Sequence, residues 1–409
     1  MDPLAAGDGQ PGSAACCDPP PPGRKSVAFL GVLTTVGLIL AGYWSLRLGY
    51  ADRLFHSPKP DSRNRAARAA PGNVRYLEDD DRARLRHNPY DSAAWIRLGL
   101  EAELAGDQAS AESFLLRAAE VDKTYQPRWT LANFYFRRQR AEDFWLWARR
   151  AGEMAYQNQS ALFDLCWRLS PDDPAAILRR AIPDRARILA QYLDYLLRRG
   201  RLEAAIPAAR RLLPLAGGEE RSLLVAYCDR LLEAGNSEAA VESWNRMASL
   251  SLIRHPPVDQ TAGRSITNGD FAFDPYSGGF DWRIARVEGV AVTRLGPPAG
   301  IRFAFSGRQP ERCTLVAQML PVVPLKKFRL RFDSRADSIP DPSGLAWVVE
   351  ERPGGGEIGR AEVLASELVF STPRGCRLAA LSLVYRRATG TTRIEGAYEL
   401  RRVGMDFAE

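Results

Sequence analysis

The chain has 409 residues, 45% of them hydrophobic and 26% charged, which suffices for two or three folded domains and excludes a wholly disordered protein. The formal charge is +7, and arginines lie in pairs along the helical segments (Arg149/Arg150, Arg198/Arg199, Arg210/Arg211) among acidic residues, so solvated helix faces are expected and nucleic acid is not expected as a partner. Six cysteines without a C-x-x-C pair and three histidines (His56, His87, His255) argue against a zinc site.

Residues 1–22 form a Pro/Gly/Ala-rich tail that cannot bury a core and is predicted to be disordered. Residues 23–47 read as a transmembrane anchor: the run 26–46, "SVAFLGVLTTVGLILAGYWSL", is uncharged and long enough to cross a lipid bilayer. Tyr43 and Trp44 suit the headgroup boundary, and the apolar region is longer than that of a cleaved signal peptide. Arg47, Arg53, Lys59, Arg63 and Arg65 outnumber the basic residues before the span, a bias that favours a cytoplasmic bulk. Residues 48–87 read as a basic linker.

Residues 88–252 are predicted to be all-α. The step from Trp95 to Trp129 is 34 residues and that from Gly200 to Gly235 is 35, periods of stacked helical hairpins that act by binding. "LAGDQASA", "LRRGRLEAA" and "LEAGNSEAA" each place an alanine five positions after a glycine, giving Ala111, Ala205 and Ala240. Together with Leu98 and Gly99, which permit close helix approach, these residues predict about four hairpins. Phe144, Trp145 and Trp147 on one helix cannot all face one way, so either one is exposed or it packs on a neighbouring hairpin. This spacing resembles the tetratricopeptide repeat family, and the resemblance implies a protein partner.

From residue 265 to 409 short alternating runs recur between Gly, Pro and Asp, which predicts an all-β sandwich or jelly roll. In "KFRLRFD" Phe328, Leu330 and Phe332 share one face. "NGDFAFDPYSGGFDWRI", "VAQMLPVVPLKKFRLRFDSRA" and "YELRRVGM" resemble segments of jelly-roll carbohydrate-binding modules. That resemblance implies polysaccharide binding, which needs an aromatic face with polar neighbours. The candidates are Tyr276, Phe280, Trp282 and Trp347, with Asp281 and Arg283 beside them. The alternation of Phe280, Trp282 and Ile284 equally suits a sheet core, whereas Tyr276 lies in a Pro/Gly-rich loop. Asn268 and Asp270 offer oxygen ligands, but Arg401 and Arg402 stand where the family often carries acids, so no metal and no cofactor is expected. Cys313 and Cys376 lie in separate strand-like runs, and the sequence leaves their pairing open.

No nucleophile elbow, metalloprotease, P-loop or dinucleotide motif stands in a suitable context, so the chain is not expected to be an enzyme. Glu350 with Glu351, or Asp333 with Asp337, are the pairs a glycosidase reading would use. The expected function is a single-pass inner-membrane adaptor in envelope polysaccharide assembly or export. Because polysaccharide lies outside the cytoplasm, the resemblance implies that residues 47–409 lie there too, against the basic bias. The alternatives are a protein–protein scaffold with a purely structural β domain, or a glycosidase.

Overall fold

The computed structural model describes residues 24–57, 62–70, 81–154 and 158–409, so the predicted tail 1–22 lies outside the described residues. The chain divides into two compact units, 1–121 and 122–409.

The first unit opens with a long helix, Arg24–Phe55 (α1), followed by Ser62–Ala69 (α2) and Asp81–His87 (α3). The linker expected over 48–87 therefore contains helix. "SRNRAARA" has good helix formers but no apolar stripe, and α2 gains its packing by setting Ala66 and Ala70 against Ala51 of α1. The predicted span 26–46 is helical, and its part before Thr34 lies outside the described side chains. Among the described residues no helix is long and apolar enough to cross a membrane.

Ser92–Leu104 (α4) and Gln108–Val121 (α5) form the first hairpin. Asp91 caps α4 by accepting the Ala94 N–H at 3.0 Å. A Cβ on Gly99 would lie 2.6 Å from the buried Leu115 side chain, so only glycine allows this approach. Trp95 packs on Phe114 with ring centroids 5.8 Å apart, while Leu98 and Ala111 are buried.

The second unit continues with Tyr125–Arg137 (α6), Ala141–Glu153 (α7), Ser160–Leu169 (α8), Pro174–Arg180 (α9), Ala186–Arg198 (α10), Leu202–Leu212 (α11), Arg221–Glu233 (α12) and Ser237–Ser249 (α13). These make four hairpins, so with α4/α5 the described residues hold five rather than about four. The extra one, α8/α9, uses helices of 10 and 7 residues, too short for the period of its neighbours.

The glycine–alanine grammar now has a physical account. Gly106, Gly200 and Gly235 have φ of +85°, +67° and +76°. Each closes the first helix of its hairpin, and the next residue donates back across the turn, as Arg201 N–H does to Leu196 O at 2.9 Å. Five residues on, Ala111, Ala205 and Ala240 are fully buried where the second helix meets the first. In the α6/α7 hairpin Gln139 adopts the left-handed conformation (φ +56°) in place of glycine. Trp129 is half-buried and stacks on Tyr125. Phe144, Trp145 and Trp147 are all buried, because α7 is packed by α6 on one side and by α8 and α9 on the other.

Ten strands follow: Arg283–Ile284 (β1), Val290–Leu295 (β2), Gly300–Ser306 (β3), Arg312–Pro321 (β4), Lys327–Asp337 (β5), Leu345–Arg352 (β6), Glu357–Glu362 (β7), Glu367–Ser371 (β8), Leu378–Arg386 (β9) and Glu395–Phe407 (β10). They form two antiparallel five-stranded sheets ordered β1-β4-β9-β6-β7 and β2-β3-β10-β5-β8. The pairs β3–β10, β4–β9, β5–β8 and β6–β7 nest like one long hairpin folded across two sheets, the pairing of a jelly roll. Phe328, Leu330 and Phe332 face the core, while Arg329 and Arg331 face out toward Glu367 and Asp406.

Cys313 and Cys376 are both free. The β4–β9 ladder runs from Cys313↔Tyr385 to Pro321↔Leu378, so the two thiols stand at opposite ends. At about 3.3 Å per residue this is roughly 25 Å, several times the reach of a disulfide. Burial and the nearby Glu351 carboxylate push the Cys376 thiol up to about 11.

Candidate functional site

The segment 251–282 carries the chain from the last hairpin into the sandwich and binds to both. On α13 the Asn245 side chain clamps it, donating to Val258 O at 2.9 Å and accepting from Val258 N–H at 2.8 Å. Trp244 is fully buried, stacks on His255 with centroids 6.3 Å apart, and meets the edge of Phe280 at 5.9 Å. Gly278 and Gly279 run directly over this surface. A Cβ on Gly278 would lie 2.6 Å from both Val225 and Asp229, and one on Gly279 would lie 2.3 Å from the Trp244 ring.

Asp281 is the hub of the joint. Its buried carboxylate accepts from Tyr276 N–H at 2.7 Å and Trp282 N–H at 2.8 Å, and its Oδ2 lies 3.0 Å from Nε2 of the buried His255. Arg283 reaches back to the Asp229 carboxylate on α12 and donates to Gly279 O at 2.8 Å. Asp229 also accepts the Gly279 N–H at 2.8 Å. Tyr276 is half-buried: the Arg221 guanidinium lies 5.8 Å from its ring centroid, and its hydroxyl accepts the Arg254 N–H at 3.2 Å.

Burial corrects the sugar-platform expectation at Phe280, Trp282, Trp347 and Asp281, while Tyr276 and Arg283 are half-buried. Phe280, Trp282 and Trp347 are fully buried, so none can stack on a sugar ring. Trp282 donates to Asn268 O at 3.0 Å and stacks on Phe271, while Trp347 lies on Phe332 with centroids 4.7 Å apart. Asp281, Arg283 and Tyr276 all serve the joint. Five of the six candidates are thus brought together, with Trp347 deeper in the sandwich core, but as a connection between helices and sheets.

The resemblance motifs also have structural roles here. Asn268 sits at φ +48° and closes its own loop, donating to Phe273 O at 2.9 Å and accepting from Phe273 N–H at 3.1 Å. Its amide oxygen thus accepts a bond within its own loop. Among the described residues no group of three or more His, Cys, Asp or Glu stands together as for a metal. Gln318, buried on β4, donates to Thr267 O at 2.9 Å and to Phe280 O at 3.0 Å, tying the segment to the sheet at two points. Trp244, His255, Asn245 and Gln318 were missed by sequence reasoning; the available signals were a lone histidine between Arg254 and Pro256 and the glycine pair before Phe280.

The glycosidase pairs do not form an acid–base site. Glu350 and Glu351 are adjacent on β6 and point to opposite faces. Asp333 and Asp337 lie four residues apart on β5, roughly 13 Å at about 3.3 Å per residue, beyond either spacing used for glycoside cleavage.

Three clefts among the described residues bear on binding. One of about 740 Å³ is lined by His255, Arg264, Asp270, Phe273 and Arg402. Phe273 is 38% exposed there, and among the described residues it shares that status in the sandwich only with Phe407 as an aromatic. A second, of about 520 Å³, lies between Asp229 and Glu233 of α12 and the outer face of the first sheet at Met319 and Ser382. A third, of about 470 Å³, opens on the helical hairpins between Asp164, Trp167 and Arg201.

No protein-family model matches this chain, and no curated protein matches its sequence. Among solved structures it is similar to accessory secretory protein 1, 2 and 3 of Streptococcus pneumoniae, at 10% identity over 30% of this chain and 87% of that one, with a TM-score of 0.23. It is also similar to YrrB, a TPR protein with an unusual peptide-binding site, at 15% identity over 42% of this chain and 93% of that one (TM-score 0.23). Pseudomonas aeruginosa pilF is similar at 15% identity over 51% of this chain and 90% of that one (TM-score 0.22). Likeness at this level carries no weight for the site, which stands on its own geometry.

Proposed function

We propose that the chain is a non-catalytic adaptor whose helical hairpins dock a protein partner and whose sandwich is a rigidly mounted structural cap. The observation that supports this most is the joint: the residues with the best sequence claim to a sugar, Tyr276 and Phe280 to Arg283, hold the sandwich to the last hairpin instead. The hairpins also keep apolar side chains exposed, Leu146 at 46% and Leu215 at 44%. A photo-crosslinker placed in the full chain at these two positions is expected to give adducts with one defined protein, and at Val369 on β8 to give none. Adducts confined to the sandwich position, or absent everywhere, would overturn the proposal. Polysaccharide binding keeps one possible place, the cleft at Phe273. Retention on immobilised glycans that Phe273→Ala abolishes would favour that reading over a purely structural cap.

The adaptor is further proposed to be membrane-tethered through 26–46, with its bulk outside the cytoplasm. Val36, Leu38, Ile39, Leu40 and Leu46 are all exposed, and on a helix they point in every direction, as suits a lipid surround. The expected result is retention of the chain in membranes after an alkaline wash, with a C-terminal reporter active only outside the cytoplasm. Release by the wash would rule out the tether.

A further inference from the structure

The cleft between α8 and α10 is lined by two cations, Arg168 and Arg201, that meet no carboxylate among the described residues. Asp164, Trp167 and Arg168 come from α8, Tyr195 from α10, and Arg199 and Arg201 from the turn into α11. The Arg201 guanidinium carbon lies 3.6 Å from the Trp167 ring centroid, so the indole forms a floor beneath the cation. Trp167 is only 9% exposed, and its buried Nε1 lies beside the Tyr192 hydroxyl without a well-formed hydrogen bond. The Nη1 of Arg201 is likewise buried and unpartnered.

The carboxylate already present is taken. Asp164 accepts from Tyr195 Oη at 2.8 Å and from Arg199 at 2.9 Å, and burial with this bond pushes the Tyr195 phenol up to about 12. Arg198, Arg199, Arg210 and Arg211 each meet a carboxylate, whereas Arg168 and Arg201 meet none among the described residues. A buried donor without an acceptor is costly, and a guanidinium is best matched by a planar two-oxygen anion. The arginines here alternate with Asp164 and Asp194, so the surface offers a point site rather than a continuous track for a phosphate backbone.

We propose that this cleft receives the carboxylate of an aspartate or glutamate side chain on the partner protein, with Arg201 and Arg168 supplying the charge and Trp167 the floor. The inference rests on the reading of the hairpins as a protein-docking surface and names the chemistry of what docks. The probe is fluorescein-labelled hexaglutamate, measured by anisotropy against the full chain, with hexaglutamine and hexauridylate alongside. Hexaglutamate is expected to bind and hexaglutamine not to. Arg168→Gln combined with Arg201→Gln is expected to weaken binding about tenfold or more. Arg210→Gln, which unpairs Glu242 outside the cleft, is expected to change affinity by less than about twofold. Arg168→Gln alone, at an exposed position, serves if the double variant melts early.

Equal binding of hexaglutamate and hexaglutamine, or an equal loss in Arg210→Gln, would overturn the proposal. So would tighter binding of hexauridylate that the cleft variants abolish, which would assign the site to phosphate. If crosslinks at Leu146 and Leu215 persist undiminished in the double variant, the acidic-anchor proposal fails while protein docking stands. If those crosslinks never form, the underlying reading fails.

Discussion

Replacing Asp281 by alanine is expected to destabilise the sandwich by roughly 3–5 kcal/mol, the range for removing one partner of a buried polar pair. The carboxylate is fully buried, and its loss leaves the Tyr276 and Trp282 N–H groups and the His255 ring without their acceptor. Water cannot readily take its place, because Trp244, Phe280 and Tyr276 enclose the same space. Asp281→Asn keeps an acceptor oxygen and should cost clearly less. Urea unfolding followed by near-ultraviolet circular dichroism, which reports the packed Trp282 and Trp347, measures both. A loss below about 1 kcal/mol for the alanine variant would mean that Asp281 is not the hub assigned here.

The second large effect is expected from Gly279→Val. Two penalties coincide there: a backbone φ of +58°, which costs a branched residue of order 1–3 kcal/mol, and a Cβ placed 2.3 Å from a tryptophan ring that is itself fully buried. The ring has nowhere to move, so relief comes by separating the 273–283 segment from α12 and α13. Arg254 and Arg264 are already exposed, but the backbone beside them is held by the Asp259–Arg264 and Val258–Asn245 bonds, and its release lets trypsin cut there. Cleavage there is expected to rise by roughly thirtyfold or more, since about 2 kcal/mol of strain shifts the open population by that factor. The products should be a helical fragment and a sandwich fragment, each resistant to further digestion. Cleavage scattered through the sandwich would instead indicate global unfolding, and an unchanged rate would mean that the contact does not hold the two parts together.

The fold was legible where one residue type has one physical use. Gly106, Gly200 and Gly235 marked helix ends because a left-handed turn selects glycine, and Phe328, Leu330 and Phe332 marked a strand because a two-sided sheet imposes alternation. A helix without an apolar stripe escaped, α2, which packs through alanines, and the α8/α9 hairpin broke the count because its helices are shorter than its neighbours' period. The site was harder for a different reason. Aromatics such as Phe280, Trp282 and Trp347 serve a core, a joint or a sugar platform with the same chemistry, and only burial separates the three. Asp281 stood in the sequence as a polar neighbour of those rings, but its partner His255 lies 26 residues away, so no local pattern could reveal the pair. The cleft at Trp167 was invisible for the same reason, since Arg201 reaches it only once α8 and α10 have stacked.

The glycine pair pressed against Trp244 has a mechanical consequence. With the Asp229–Arg283 bridge and the Asn245 clamp, it leaves the sandwich little freedom to swivel about α12 and α13. A load pulling on the far strands is therefore delivered to the helices as torque and is not absorbed by a slack tether. Whatever rests on α8 to α13 is held at a set bearing to the sandwich, so the second unit behaves as a bracket whose reach and angle are built in.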